Sequence, residues 1–171
     1  MSTHVPEPPS QAGPIHDQTS SGPPGAARAL GESAGQVSRE EMLLALNELL
    51  EAERAGARVA METARDIPTS ELASLVQDIH KDEVRWCSML MRTIKSMEGT
   101  SSSATGAFWG KAMAIPDLEQ RLLFLNRGQA WVVRKLEALI PRCHDAQIRE
   151  DLATMLAAHR TNIERVEARH G

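Results

Sequence analysis

Residues 71–97 read ELASLVQDIHKDEVRWCSMLMRTIKSM, and their large apolar side chains recur at intervals of three or four. This spacing places them along one face of a helix. The helix is predicted to begin at Thr69 or Ser70 and to end near Glu98, before Gly99. Glu83 interrupts the apolar face once, at its middle. The segment therefore predicts a helix that buries one face and carries a carboxylate at the centre of that face.

The same periodicity predicts three further helices, which cover residues 38–66, 116–140 and 145–169. Ser38 and Glu41 have the spacing of a capping box, in which each side chain bonds the free amide of the other residue. Pro68 follows the end of this helix, and Pro116 is predicted at the first position of the third helix. These four helices predict an all-α protein.

The loops that join these helices differ greatly in length, which constrains the topology. The first and last loops are very short, so each should join antiparallel neighbours. The connector over residues 99–115 is about 17 residues long and can span about 55 Å when extended. The preceding helix is about 40 Å long, so the connector can cross the full length of the bundle. We expect Ala107, Phe108 and Trp109 to pack on the bundle surface.

Each predicted helix interrupts its apolar face once with a polar residue near its midpoint. These residues are Glu53, Glu83, Gln129 and His159. Helix midpoints in an antiparallel bundle lie at a common depth, so the four side chains should converge in one buried layer. Unpaired buried carboxylates cost several kcal/mol, so the layer must be neutralised, paired or bound to a cation.

Two explanations of this polar layer stay open. Carboxylate, imidazole and amide oxygen ligands suit iron, manganese or zinc, and a single set predicts one ion rather than two. The same groups could instead form a hydrogen-bonded network that fixes helix register and binds no ligand. In the second case Arg54 would pair with Glu53 or Glu83. The residues expected to surround the layer are Arg54, Trp86, Asn126 and Asn162.

Composition limits the remaining functional classes. Residues 1–37 hold six of the nine prolines and almost no large apolar side chain, which predicts a disordered tail before a domain over residues 38–171. The net charge of −4, with both signs interspersed, argues against nucleic-acid binding. No apolar run approaches the roughly 20 residues that span a bilayer. The lack of a secretory signal, together with two widely separated cysteines, predicts a cytoplasmic protein.

Short segments around these polar residues resemble the ferritin-like superfamily, especially rubrerythrin-like bacterial proteins. Residues 46–54 (LNELLEAER) are similar to that family's first metal-binding helix, in which Glu53 takes the place of a ligand. Residues 81–86 (KDEVRW) are similar to its Glu-x-x-His motif, with Trp86 in place of the histidine. Residues 105–111 and 124–131 resemble a bacterial subfamily of uncharacterised function. The resemblance covers about residues 40–168 and implies a four-helix bundle with a crossover connection.

The departures from the family pattern bear on the implied chemistry. Gln129 stands where the family has a carboxylate, and the second Glu-x-x-His motif becomes His159-Arg160-Thr161-Asn162. These changes predict a mononuclear or vestigial site and argue against the two-iron oxidase or peroxidase chemistry of the family. The resemblance implies a role in iron handling or oxidative stress.

Two further expectations concern partners. A non-catalytic bundle that serves as an interaction or regulatory module, with the tail as a tether, is the alternative function. A homodimer is also expected, because Leu123, Phe124 and Trp131 are predicted to be exposed on the back of the third helix.

Overall fold

The computed structural model describes residues 35–68 and 70–169. Within them the chain forms five α-helices and one short 3-10 helix, and no strand. The helices are α1 (Arg39–Asp66), α2 (Glu71–Ser96), α3 (Phe108–Met113), α4 (Leu118–Leu139) and α5 (Ala146–Glu167), with the 3-10 helix at Ile140–Arg142. The all-α prediction is confirmed. The predicted disordered tail lies outside the described residues, except for its last three.

The predicted ends of the four long helices lie within two residues of those observed. The capping box at the start of α1 is present: the Glu41 amide donates to Ser38 Oγ, and the Ser38 amide donates to Glu41 Oε2. The prediction that Pro116 is the first residue of the third helix is wrong. Asp117 caps α4 by accepting the Gln120 amide at 2.8 Å, a bond that a proline side chain cannot make. Pro116 therefore precedes the helix.

The connector between α2 and α4 runs lengthwise beside α1. Contacts follow α1 in chain order, joining Asn47 to Thr100, Arg58 to Trp109 and, at the start of α4, Asp66 to Arg121. The sequence did not predict α3, which lies in this connector and packs on α1 and α4. α4 therefore begins beside the end of α1.

Neighbouring long helices are antiparallel. Lys135 pairs with Glu48 at 2.7 Å near the opposite ends of α4 and α1 from the Arg121–Asp66 pair. α5 packs antiparallel against α2. In addition, α1 contacts α2 and α4 contacts α5. α1 and α5 therefore face each other across the interior, as do α2 and α4.

Two clusters of buried apolar side chains fill this interior. The first cluster draws on residues 42–50, 86–94, 132–143 and 152–155. The second cluster draws on residues 59–60, 75–79, 112–125 and 166. Along α1, Glu53 lies between Leu50 of the first cluster and Val59 of the second, and His159 occupies the same intermediate place in α5. The polar layer thus separates two apolar regions.

The predicted exposure of apolar residues on α4 is partly wrong. Leu123 and Phe124 are half-buried and pack against the second cluster, where Phe124 stacks on Phe108 at 4.9 Å between ring centroids. α3 covers this side of α4, and that helix was not foreseen. Trp131 is exposed, and the homodimer stays a prediction. None of the helices that the structure describes is both long and apolar enough to traverse a bilayer.

Candidate metal centre

All four predicted polar residues point into the interior. Glu53, Glu83, Gln129 and His159 are each at most 3 % exposed. They come from four different helices, α1, α2, α4 and α5, because each lies near the middle of its apolar face. Four hydrophilic side chains are therefore buried at one level of the interior.

Three of these residues converge on one point. Glu53, Glu83 and His159 each offer one ligand atom, and these atoms all lie within 4.8 Å of one another. The closest recorded approach is 3.2 Å, between His159 Nε2 and Glu53 Oε1. Neither Glu53 oxygen nor His159 Nε2 makes a hydrogen bond of normal geometry to any described residue. The three groups therefore contact one another, and the Glu53 oxygens and His159 Nε2 have no polar partner outside this group among the described residues.

The tautomer of His159 follows from its second nitrogen. His159 Nδ1 lies 3.1 Å from the carbonyl oxygen of Met155, one turn earlier in α5. A carbonyl oxygen can only accept, so Nδ1 carries the proton of this bond. In the neutral ring, Nε2 then presents a lone pair towards Glu53. Metal-binding histidines are commonly oriented by such a bond from the other nitrogen.

Burial shifts the acidity of both carboxyl groups. The pKa of Glu53 is raised from 4.5 to about 8, first because burial removes its hydration; contact with Glu83 lowers the pKa, and the charge of Asp82 raises it. The pKa of Glu83 is raised well above its usual value, first by burial and next by the Glu53 charge. In the absence of a cation, both groups therefore favour the protonated form at neutral pH.

A glycine allows Glu83 to reach the centre. A Cβ atom built on Gly56 would lie 2.7 Å from Glu83 Oε2 and 2.8 Å from its Cδ. Gly56 is one turn after Glu53 in an alanine-rich part of α1, where glycine costs about 1 kcal/mol relative to alanine. Gly56 was not among the site residues predicted from the sequence. Its isolated position among alanines was the signal that a neighbouring group approaches the backbone closely.

Replacing Gly56 by alanine should displace the Glu83 carboxyl group. The added methyl group overlaps the carboxyl, which must move from its place beside Glu53 and His159, so we expect zinc affinity to fall by about tenfold or more. Competition with a chromophoric chelator measures this change. The control is Gly110→Ala, since a Cβ at Gly110 meets nothing within 4 Å. Equal zinc affinity in the two variants would contradict the proposed role of Gly56.

Gln129 is buried beside the three converging groups without joining them in a recorded contact. Its Oε1 and Nε2 atoms have no hydrogen-bond partner among the described residues. It lines the same cavity as Glu83 and Gly56. Its predicted place in the polar layer is therefore consistent with its burial, and its role as a ligand stays a prediction.

The structure corrects the expected pairing of Arg54. The Arg54 guanidinium donates to the Ser102 carbonyl of the connector and lies 3.7 Å from Met91 Sδ. It forms no recorded ion pair with Glu53 or Glu83 in the described part of the chain. Because Arg54 follows Glu53 directly, it points about 100° away around the helix. It therefore fixes the connector on α1.

Asn162 is bonded to Asp82, which was not among the residues predicted from the sequence to surround the polar layer. Its Nδ2 donates to Asp82 Oδ2 at 3.0 Å, which ties α5 to α2 next to Glu83. Asp82 also raises the pKa of Glu53 and Glu83 through its charge. Asn162 therefore holds a carboxylate near the centre and does not itself join the three groups.

The two remaining surrounding residues are buried but contribute no ligand. Trp86 belongs to the first apolar cluster, and its Nε1 lacks a hydrogen-bond partner among the described residues. Asn126 is buried on α4, and its Oδ1 is likewise unpartnered there. An indole N–H can only donate, so Trp86 cannot replace a metal-binding histidine.

These residues fit one metal ion and do not fit two. Two carboxylates and an imidazole would balance a divalent cation, and the unbonded Glu53 oxygens and His159 Nε2 are the atoms that such a cation would use. A two-metal centre in a helical bundle needs about four carboxylates and two histidines. Among the described residues, the converging group has only two carboxylates and one histidine.

Comparison with known proteins gives one match. The family model described as Domain of unknown function (DUF6306) matches residues 40–168. No curated protein and no solved structure matches the chain. The matched range includes α2 to α5, all of α1 except Arg39, and every residue of the candidate centre.

Proposed function

We propose that this chain, which belongs to the DUF6306 family of domains of unknown function, binds one divalent metal ion in its interior. Glu53, Glu83 and His159 would hold the ion, with Gln129 as a fourth ligand or a neighbour. Iron, manganese and zinc all suit these ligands. The observation that carries the proposal is the buried approach of two carboxyl groups and one imidazole nitrogen to within 4.8 Å of one another, with no polar partner outside this group for the Glu53 oxygens or His159 Nε2 among the described residues.

We assign the fold to the ferritin-like class of helical bundles as part of this proposal. Two antiparallel helix pairs support it, together with a connector that travels along α1 before α4 begins. Ligands from the middle of four helices are also typical of this class. A bound ion would supply a Lewis acid among side chains that are each at most 3 % exposed. The side chains of this chain would orient the ion and replace its hydration.

The cellular role proposed here is metal handling, in iron supply or the response to oxidative stress, without two-metal oxidase chemistry. The competing explanation is a polar network in an interaction module. That network would require hydrogen bonds among the buried groups. The Asn162–Asp82 bond and the 3.2 Å approach of His159 Nε2 to Glu53 fit that network. The lack of any polar partner for the Glu53 oxygens outside the three converging groups favours the metal.

Metal analysis of the protein purified without chelator tests the proposal. We expect about one transition-metal ion per chain, and loss of that ion in Glu83→Gln because the amide carries no charge to hold it. Glu164→Gln is the control, since Glu164 is exposed on α5. A wild-type chain without stoichiometric metal, after supply of iron, manganese and zinc in turn, would refute the proposal. Equal metal content in wild type and Glu83→Gln would refute it as well.

A further inference from the structure

A cavity of about 650 Å³ lies between α1, α4 and the connector, and we call it the side pocket. Gly106, Trp131 and Arg134 line it and are exposed, so these residues mark its mouth. Glu83 also lines it and is only 3 % exposed, so this residue marks its inner end. A water molecule takes about 30 Å³ in the liquid, so the pocket has room for a hydrated metal ion. The side pocket therefore leads from the surface to one of the three converging groups.

Only one of these three groups reaches the side pocket. Glu83 lines it, whereas Glu53 and His159 do not, and those two residues are at most 1 % exposed. Gly56 belongs to the same wall. A Cβ atom on Gly56 would lie 2.7 Å from Glu83 Oε2 and 2.9 Å from Oε1. The Glu83 carboxyl group therefore lies against a part of the wall that carries no side chain.

Other approaches to the centre are closed by packed side chains. Along α1, Leu50 on one side of Glu53 and Val59 on the other have no exposed surface and belong to the two apolar clusters. Between α2 and α5, Asn162 donates to Asp82 at 3.0 Å. An ion on either of these paths would have to separate packed side chains or break this bond, whereas the side pocket is already open.

The charged side chains that line the pocket lie on three helices: Glu48 and Glu51 on α1, Glu83 on α2, and Arg127 and Arg134 on α4. Both arginines are exposed, so water and salt screen their repulsion of a cation beyond about 8 Å. At the inner end, the metal-free Glu83 carboxyl is protonated. An arriving ion therefore exchanges for that proton, which leaves to the solvent. The arginines slow the entry of a cation without closing the pocket.

We propose that the side pocket is the passage through which the metal ion enters and leaves the buried centre, and that Glu83 is the first of the three ligands it meets. The inference rests on the proposed metal site and adds the route to it. The small residues Ala52, Ala55 and Gly56 keep the α1 wall of the passage open. A barrier in the passage slows entry and exit by the same factor, so it changes the rates of metal exchange and leaves the affinity unchanged.

Narrowing the passage from α1 tests this proposal. Ala52→Leu places a larger side chain in the pocket wall, away from the three ligands. Stopped-flow mixing of the full chain with zinc gives the binding rate, and mixing of the zinc-loaded chain with excess chromophoric chelator gives the release rate. We expect both rates to fall by about tenfold, with an unchanged dissociation constant. Ala157→Leu, at an exposed position on α5, is the control and should exchange zinc as wild type does.

A covalent plug at the mouth gives a second test that does not depend on packing in the interior. Both native cysteines are buried, so a bulky maleimide should react selectively with Trp131→Cys. Labelling should slow zinc binding and release together, relative to the same variant before labelling. Labelled Ala157→Cys is the control and should show no change.

The outcomes separate the passage from the metal site itself. If zinc does not bind the wild-type chain at all, both proposals fail. If zinc binds wild type but exchanges at unchanged rates in folded Ala52→Leu and in labelled Trp131→Cys, the passage alone is refuted. Faster release without slower binding would also contradict the passage, because such a change weakens the site and not the route.

Discussion

The metal-free protein should lose stability as the pH rises from about 5 to about 8, and a bound metal ion should restore much of it. Below pH 4.5, Glu53 is protonated in both folded and unfolded chains. Between 4.5 and about 8 the folded state keeps a proton that the unfolded state has lost, so each step upward in pH favours unfolding. For Glu53 alone the loss is at most roughly 5 kcal/mol. Glu83 acts in the same direction because its pKa is also raised.

Urea denaturation between pH 5 and pH 8.5, with a chelator or with zinc, measures this effect. Zinc competes with protons for the carboxylates, so its stabilisation should grow with pH and reach about 4 kcal/mol at a thousandfold excess over its dissociation constant. Stability that is equally dependent on pH with and without zinc would contradict the metal site. Stability of the metal-free chain that rises from pH 5 to pH 8 would contradict the assigned acidity of the two carboxyl groups.

Replacing Glu53 by glutamine should stabilise the metal-free protein while it abolishes metal binding. At pH 8 the variant avoids the cost of an ionised or proton-retaining carboxyl group, and we expect it to exceed wild type by a few kcal/mol. At pH 5 the wild-type carboxyl is already neutral, so the two should agree within about 1 kcal/mol. Zinc should no longer raise the midpoint of denaturation.

The zinc response of wild type and variant separates the two explanations of the polar layer. A hydrogen-bonded network binds no ion, so zinc would then leave the denaturation midpoint of wild type unchanged as well. Glu164→Gln, at an exposed position on α5, should behave as wild type in both denaturation and zinc titration. A destabilised Glu53→Gln variant that still responds to zinc would exclude Glu53 as a ligand.

The four long helices were predictable because their signals are local. The capping box of Ser38 and Glu41, the proline after α1 and the periodic apolar faces all act within a few residues of the backbone they fix. The short helix α3 was not predictable in this way. It has six residues and no side-chain cap, and it depends on Phe108 fitting against Gly128 of a distant helix. Contacts between segments that are distant along the chain produce little recognisable pattern in the local sequence.

The sequence predicted which side chains are buried at the candidate site better than it predicted which groups those side chains contact. An interruption of an apolar face requires a buried polar side chain, so the burial of Glu53, Glu83, Gln129 and His159 followed from pattern alone. The partner of each group depends on rotamers and on the relative height of helices, which periodicity does not specify. Arg54, which the network explanation allowed to pair with Glu53 or Glu83, contacts Ser102 and Met91 instead.

The connector divides the candidate ligands equally between two hairpins of the chain. The hairpin of α1 and α2 brings Glu53 and Glu83, and the hairpin of α4 and α5 brings Gln129 and His159. Neither hairpin alone has enough metal ligands to retain a cation. An ion bound between the two hairpins would therefore link them. Without that ion, the two hairpins would be joined by the apolar clusters that both share and by the ion pairs between them.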